Sequence, residues 1–176
     1  TTMEVSIGTA VDALSSPEVL GGSVDALILH STFWDLGRLS ETLLPYGGNL
    51  SHWANGWAHN ASELMRSVQR RVPAQVYMWR QSTTFRIARP PSWHTRTAHN
   101  AKQLLDAQVP GILATHGYEL VAVTKVKGHN NLRDFLHPGR IVASRMFAYE
   151  LQTARNCVNR VARGASAEGC AMLTEP

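Results

Sequence analysis

The feature that most constrains the fold is a long apolar stripe that ends at a proline. Across residues 50–68 the apolar side chains recur every three or four positions, which places them on one side of an α-helix. Pro73 ends this helix, and the apolar run 74–79 after it is typical of a buried strand. Trp53 and Trp57 lie within the stripe, and we predict that both are core residues and not a platform for a ligand.

The same two patterns alternate along the chain. Further strands are predicted at 3–8, 24–31 and 118–123, and further helices at 96–116, with a kink or break at Pro110, and at 139–161. Strands that alternate with helices form a parallel sheet with helices on both faces. We therefore predict a three-layer α/β domain over residues 1–161, followed by a C-terminal tail over 162–176.

Composition and charge argue against two classes of partner. The 176 residues are 44% hydrophobic, which suits one domain with a real core, and they contain no run of about 18 apolar residues that could span a membrane. The net charge is +4, but the basic residues are scattered instead of clustered. Proteins that bind nucleic acid usually concentrate such residues on one face, so no nucleic-acid partner is predicted. The N-terminal residues also lack the basic and apolar regions of a signal peptide.

Two cysteines and two sequons bear on the compartment. Cys157 and Cys170 either form one disulfide or remain as thiols, and their spacing matches no metal motif. Asn49 and Asn60 each begin an Asn-x-Ser tripeptide and are candidate glycosylation sites. Such tripeptides also arise by chance, so the pair favours a secretory or extracellular location only slightly.

The segment "RDFLHPGR" (133–140) places an acid three residues before a histidine, just ahead of the last predicted helix. A carboxylate at Asp134 can hold one ring nitrogen of His137 while the other accepts a proton from a nucleophile. A tetrapeptide of this kind also occurs by chance in loops. Two other polar segments, 30–35 and 80–86, each come after a predicted strand. The carboxyl ends of parallel strands lie at the same edge of a sheet. We expect all three segments to meet there, which favours the chemical interpretation.

Several of these segments resemble one family. "VDALILHSTFWDLGRL" is similar to the strand and turn of the PC-esterase branch of the SGNH (GDSL-like) hydrolases, which typically continues as Asn-Ser-x-x-Trp-Asp-Leu. "VYMWRQST" resembles the next strand of that family, the helix that contains Asn100 resembles its following helix, and "DFLHPGR" resembles its Asp-x-x-His element. Together the resemblances cover residues 3–155.

The resemblance implies a flavodoxin-like strand order and a serine-dependent O-acyl esterase or acyl (often acetyl) transferase. Asp134 and His137 would be two members of the triad, and an ester or acylated carbohydrate would be the substrate. No metal or organic cofactor is implied. Candidates for the substrate pocket or for stabilising the oxyanion are His30, Ser31, Trp34, Asp35, Arg80 and Asn100.

Two departures from the family pattern concern the chemistry. The Gly-Asp-Ser block that supplies the nucleophile is not found, since Gly21-Gly22-Ser23 precedes a strand instead of following one. We therefore expect the domain to be truncated at its N-terminus. His30 also stands where the family usually has asparagine. The alternative function is a non-catalytic SGNH-like module that binds protein partners in a larger assembly.

Each candidate also has a structural explanation. Ser31 is more simply a strand-end hydroxyl bonded to backbone than a nucleophile, and Asp35 can cap the following segment. Trp34 forms the wall of a pocket or is a buried aromatic. Arg80 binds an anion or pairs with a carboxylate such as Asp35. The remaining histidines considered show no metal-binding spacing, and we predict surface or helix-end positions for them: His94, His99, His116 and His129.

Overall fold

A computed structural model of the chain describes residues 24–30, 36, 38–81, 96–128 and 139–174. Within these ranges the strands are β1 (Val24–Leu29), β2 (Ala74–Arg80) and β3 (Tyr118–Val121), and the α-helices are α1 (Leu39–Thr42), α2 (Leu50–Arg71), α3 (Arg96–His116) and α4 (Arg140–Ala162). Short 3-10 helices occupy Leu44–Tyr46, Val123–Lys125 and Cys170–Leu173. The predicted strand at 3–8 lies outside the described residues.

The three strands form one parallel sheet in the order β1-β2-β3. Leu29 is level with Trp79, and Arg80 is level with Val121, so the described strands end close to the same edge. Helices flank this sheet, as the alternation of patterns predicts. The α/β class is therefore confirmed at the level of a parallel sheet flanked by helices.

Side chains of β2 alternate between the two faces of the sheet. Tyr77 and Trp79 pack with α2 and α3, whereas Val76 and Met78 pack with α4. Successive side chains of a strand point to opposite faces, and burial on both faces requires a continuous apolar run instead of an alternating one. This arrangement explains why "AQVYMW" contains so few polar residues.

Helix α2 is built as its stripe predicts. Trp53, Trp57 and Met65 are buried, and the ring of Trp57 meets that of Trp79 edge-on with centroids 6.2 Å apart. The Asn49 side chain accepts a hydrogen bond from His52 N and caps the first turn. The prediction that both tryptophans belong to the core is confirmed.

Helix α3 continues through Pro110 as one helix, so of the predicted kink or break, the break is wrong. A proline inside a helix leaves the carbonyl four residues earlier, here that of Asp106, without its usual N–H partner. Pro110 lies on the exposed side of α3, where water can satisfy that carbonyl.

The third strand is shorter than predicted. β3 ends at Val121, and the chain turns into a 3-10 helix over Val123–Lys125, although Val123 is completely buried. The apolar run at 118–123 correctly predicts that these residues are largely buried. Burial alone does not require that their backbone forms hydrogen bonds to a neighbouring strand.

Part of the predicted tail packs against the domain. Cys170 forms a disulfide with Cys157 of α4, and both residues are buried. The Glu119 carboxylate accepts hydrogen bonds from the backbone N–H groups of Gly169 and Ala171, at 2.9 and 3.3 Å. These contacts join the end of the described chain to β3 and α4.

Candidate functional site

The candidate site lies at the carboxyl edge of the sheet, where β1 and β2 end side by side. His30 follows β1 directly, and its Nδ1 lies 3.1 Å from the carbonyl oxygen of Arg80, the last residue of β2. Since a carbonyl only accepts hydrogen bonds, Nδ1 carries the proton of this contact. Two of the segments predicted to converge are therefore joined where their strands end.

The environment of His30 favours the neutral imidazole. Burial of the ring lowers the pKa of His30, the hydrogen bond to the Arg80 carbonyl opposes that shift, and the Arg80 charge adds to it. A neutral imidazole has a single N–H, and here that group faces the Arg80 carbonyl. His30 therefore has no second N–H to offer to an oxyanion at neutral pH, whereas an asparagine amide has two.

The Arg80 side chain forms an ion pair with a carboxylate that is distant in sequence. Its Nε donates to Glu150 Oε1 at 2.6 Å, and the side chains are only 24% and 14% exposed. Glu150 belongs to α4 and lies 70 residues away in sequence. Of the two alternatives for Arg80, pairing with a carboxylate is observed, but the partner is Glu150. Asp35 lies outside the described residues.

Gln81 connects the end of β2 to the end of β3 and to the turn after it. It is not among the candidate residues predicted from the sequence. Its backbone N–H donates to Val121 O at 3.0 Å, and its Oε1 accepts a hydrogen bond from Thr124 Oγ1 at 2.7 Å. The polar turn after β2 was the only sequence signal for Gln81, and nothing in the sequence identified Thr124 as its partner.

Asp134 and His137 lie outside the described residues, but the residues on either side of their segment are described. The chain is described up to Gly128 and again from Gly139, on either side of Asp134 and His137. A Cβ placed on Gly128 would lie 3.7 Å from Val142 Cγ2, so the backbone at Gly128 lies close to the first turn of α4. Gly128, at one end of the intervening segment, therefore lies close to the helix that begins just after its other end.

The other candidates are placed as follows. Ser31 and Trp34 lie outside the described residues. Asn100 is exposed in the second turn of α3, and no hydrogen bond joins it to His30 or Arg80 in the part of the chain that the structure describes. His116 ends α3, as predicted, and its Nε2 lies 3.1 Å from Ser62 Oγ.

Among the described residues, no group of three or more histidine, cysteine or acidic side chains is arranged to hold a metal ion. None of the described helices has the length and apolar character needed to cross a bilayer. Comparison of the chain with protein-family models, with curated proteins and with solved structures gave no match in any of the three.

Proposed function

We propose that this chain is an SGNH-type O-acyl esterase or acyl (acetyl) transferase domain of the PC-esterase kind. In this mechanism a serine attacks the ester carbonyl, His137 accepts its proton and returns it to the leaving group, and Asp134 orients the imidazole. The substrate is an ester, with acylated carbohydrate as the class that the resemblance implies.

The hydrogen bond between His30 Nδ1 and the Arg80 carbonyl is the observation that carries this proposal. It joins, at the carboxyl edge of a parallel sheet, two turns whose sequences resemble segments of the family. In open parallel sheets, ligands bind beyond this edge. The position of Gly128 close to the first turn of α4 adds support, because Asp134 and His137 lie in sequence between β3 and that helix.

The order of the strands is also compatible with the proposal. A flavodoxin-like sheet has the order 2-1-3-4-5, in which the last three strands are neighbours in sequence and in space. The observed order β1-β2-β3 has this sequential character. We infer that these strands correspond to the last three of such a sheet and that the nucleophile block would precede them.

The nucleophile determines what the 176 residues alone can do. Without a Gly-Asp-Ser block, His137 has no serine to deprotonate, and loss of the serine costs about a million-fold in turnover in a well-studied serine hydrolase. Ser31 would replace it only if its hydroxyl reached His137 at roughly 2.6–3.2 Å, with backbone donors directed at the oxyanion. We expect only background hydrolysis of esters by this chain.

The test is hydrolysis of p-nitrophenyl acetate by this chain and by the naturally encoded protein, including any residues upstream of Thr1. We expect turnover in the natural protein and its loss in His137→Ala and Asp134→Asn. His59→Ala, on the exposed side of α2, is the matched control and should retain full activity. Turnover by the isolated chain that disappears in Ser31→Ala would make Ser31 the nucleophile. Activity that survives His137→Ala would refute the proposed triad.

A non-catalytic SGNH-like module is the second candidate, and one observation favours it. The N–H of His30 and the Nε of Arg80 are both directed at partners within the protein, as expected of residues that join structural elements. This candidate predicts no turnover in any form of the protein and no loss of partner binding in His137→Ala.

A further inference from the structure

The two Asn-x-Ser sequons occupy very different positions in the fold. Asn49 follows Gly47 and Gly48, whose φ angles of 60° and 78° turn the chain sharply before α2. Asn49 itself has extended backbone angles and is exposed, and Ser51 is exposed in the first helical turn. This sequon therefore lies on a surface turn, the setting expected for a glycosylation acceptor.

The sequon at Asn60 lies in the middle of the 22-residue helix α2. Asn60 is exposed, but the next residue, Ala61, is buried in the core. Ser62 Oγ lies 3.1 Å from His116 Nε2, which joins this turn of α2 to the end of α3. The hydroxyl and the backbone of the second sequon are thus engaged in the packed helix pair.

We propose that Asn49 is an N-glycosylation site of this chain and that Asn60 is not. In the folded chain the Asn49 carboxamide uses Oδ1 to accept from His52 N at 3.1 Å. Glycosylation occurs at the other atom, Nδ2, so the glycan and the helix cap are compatible.

The transfer needs a polyprenyl-pyrophosphate-linked oligosaccharide as its donor. Nδ2 of Asn49 forms a bond to C1 of the first sugar, the bond between C1 and the pyrophosphate oxygen breaks, and Nδ2 loses one proton. The polyprenyl pyrophosphate is the leaving group, and no oxidation or reduction takes place.

The difference between the two sites follows from the free energy of opening each sequon. Asn49 and Ser51 are exposed at the start of α2, so opening the first turn breaks the cap at His52 but exposes few core side chains, and the residues around Asn49 can adopt the conformation that a transferase requires. Exposing the sequon at Asn60 requires opening the middle of α2, where Trp57, Ala61 and Met65 pack into the core. Once α2 has packed, only the first sequon can open without exposing the core.

The disulfide supports the proposal that the chain passes through a compartment that contains the glycosyltransferase. Cys157 and Cys170 are the only cysteines in the sequence, and they form a disulfide. Such bonds persist in oxidising compartments, among them the lumen in which N-glycans are added. The glycosylation proposal does not depend on the proposed esterase function.

The experiment expresses the whole chain in cultured eukaryotic cells behind a cleavable secretion signal. Intact mass is measured before and after treatment with an amidase that removes N-linked glycans. We expect one removable glycan on the parent chain and on Asn60→Asp, and none on Asn49→Asp or Ser51→Ala. Asn49→Asp keeps a side-chain oxygen for the cap at His52, so loss of the glycan cannot be attributed to loss of the helix start.

Two results would overturn the proposal. One is a glycan that survives Asn49→Asp and disappears in Asn60→Asp. The other is a secreted parent chain without a glycan although its Cys157–Cys170 bond has formed, as shown by the absence of thiols that react before reduction.

Discussion

Arg80 and Glu150 connect the end of β2 to α4 through an ion pair that solvent reaches only in part. Nε and Oε1 are 2.6 Å apart, and 70 residues separate the partners along the chain. The carbonyl of the same arginine also faces His30. One residue thus holds two elements at the carboxyl edge, where the candidate site lies.

Replacing Glu150 should destabilise the fold more than breaking a surface pair. Glu150→Ala leaves the Arg80 guanidinium partly buried without its carboxylate, and such losses cost about 1–3 kcal/mol in free energy of unfolding. Glu63→Ala is the matched control, since Glu63 and Arg66 form a pair that is about half exposed, with side-chain exposures of 48% and 50%. We expect the control to lose less than about 1 kcal/mol.

Urea denaturation of the two variants and of the parent chain measures this difference. If Glu150→Ala loses no more free energy of unfolding than Glu63→Ala, the pair contributes little to holding α4 over the sheet. The slope of the transition should be unchanged, because neither substitution alters the surface exposed on unfolding very much.

The disulfide should account for a large part of the stability of the C-terminal segment. Cys157 and Cys170 are 13 residues apart, and cross-linking a loop of about this size restricts the unfolded chain by about 3 kcal/mol. We expect a reductant to lower the thermal midpoint of the parent chain. The Cys157→Ala/Cys170→Ala double variant should start at the lower midpoint and not respond to reductant. Equal midpoints with and without reductant, after the thiols are shown to be free, would contradict this account.

The cap at Asn49 can be tested separately from glycosylation in protein made without glycans. Asn49→Ala removes the acceptor for His52 N and should cost about 0.5–2 kcal/mol in free energy of unfolding. Asn49→Asp keeps an acceptor oxygen and places a negative charge at the helix start, where the dipole favours it, so it should match or exceed the parent. Chemical denaturation of the three proteins is the measurement. A loss in Asn49→Asp as large as that in Asn49→Ala would show that the cap is unimportant.

The elements of this fold could be predicted well because each is encoded locally. The stripe at 50–68 and Pro73 predict α2 to within a few residues of Leu50–Arg71, and the apolar runs predict β1 and β2. Periodicity reports which residues are buried, not how their backbone is bonded. For this reason the run at 118–123 overestimates β3, although Val123 is buried as expected.

The contacts of the candidate site could be predicted only in part. Parallel strands end at one edge, so the proximity of His30 and Arg80 follows from the topology. The partner of Arg80 does not, because it depends on how α4 is rotated and shifted over the sheet. If α4 were rotated by the angle between two successive residues, Glu150 would point away from Arg80. No local pattern in the sequence determines the rotation of α4.

The last prediction concerns pH and the imidazole of His30. Burial lowers the pKa of His30 below its ordinary value of 6.5, so between the two values the unfolded chain binds more protons than the folded chain. His30 therefore favours folding above pH 6.5, and this contribution is lost as the pH falls through 6.5 towards the folded value. Solvent still reaches the residue, which keeps the effect small. His30→Gln keeps an N–H for the Arg80 carbonyl and cannot titrate in this range. In urea titrations between pH 5 and pH 8, the parent should lose more stability on acidification than His30→Gln, and the two should respond alike above pH 7. A parent chain that is stabilised relative to His30→Gln on acidification would show that the pKa is raised, with the ring charged in the folded state.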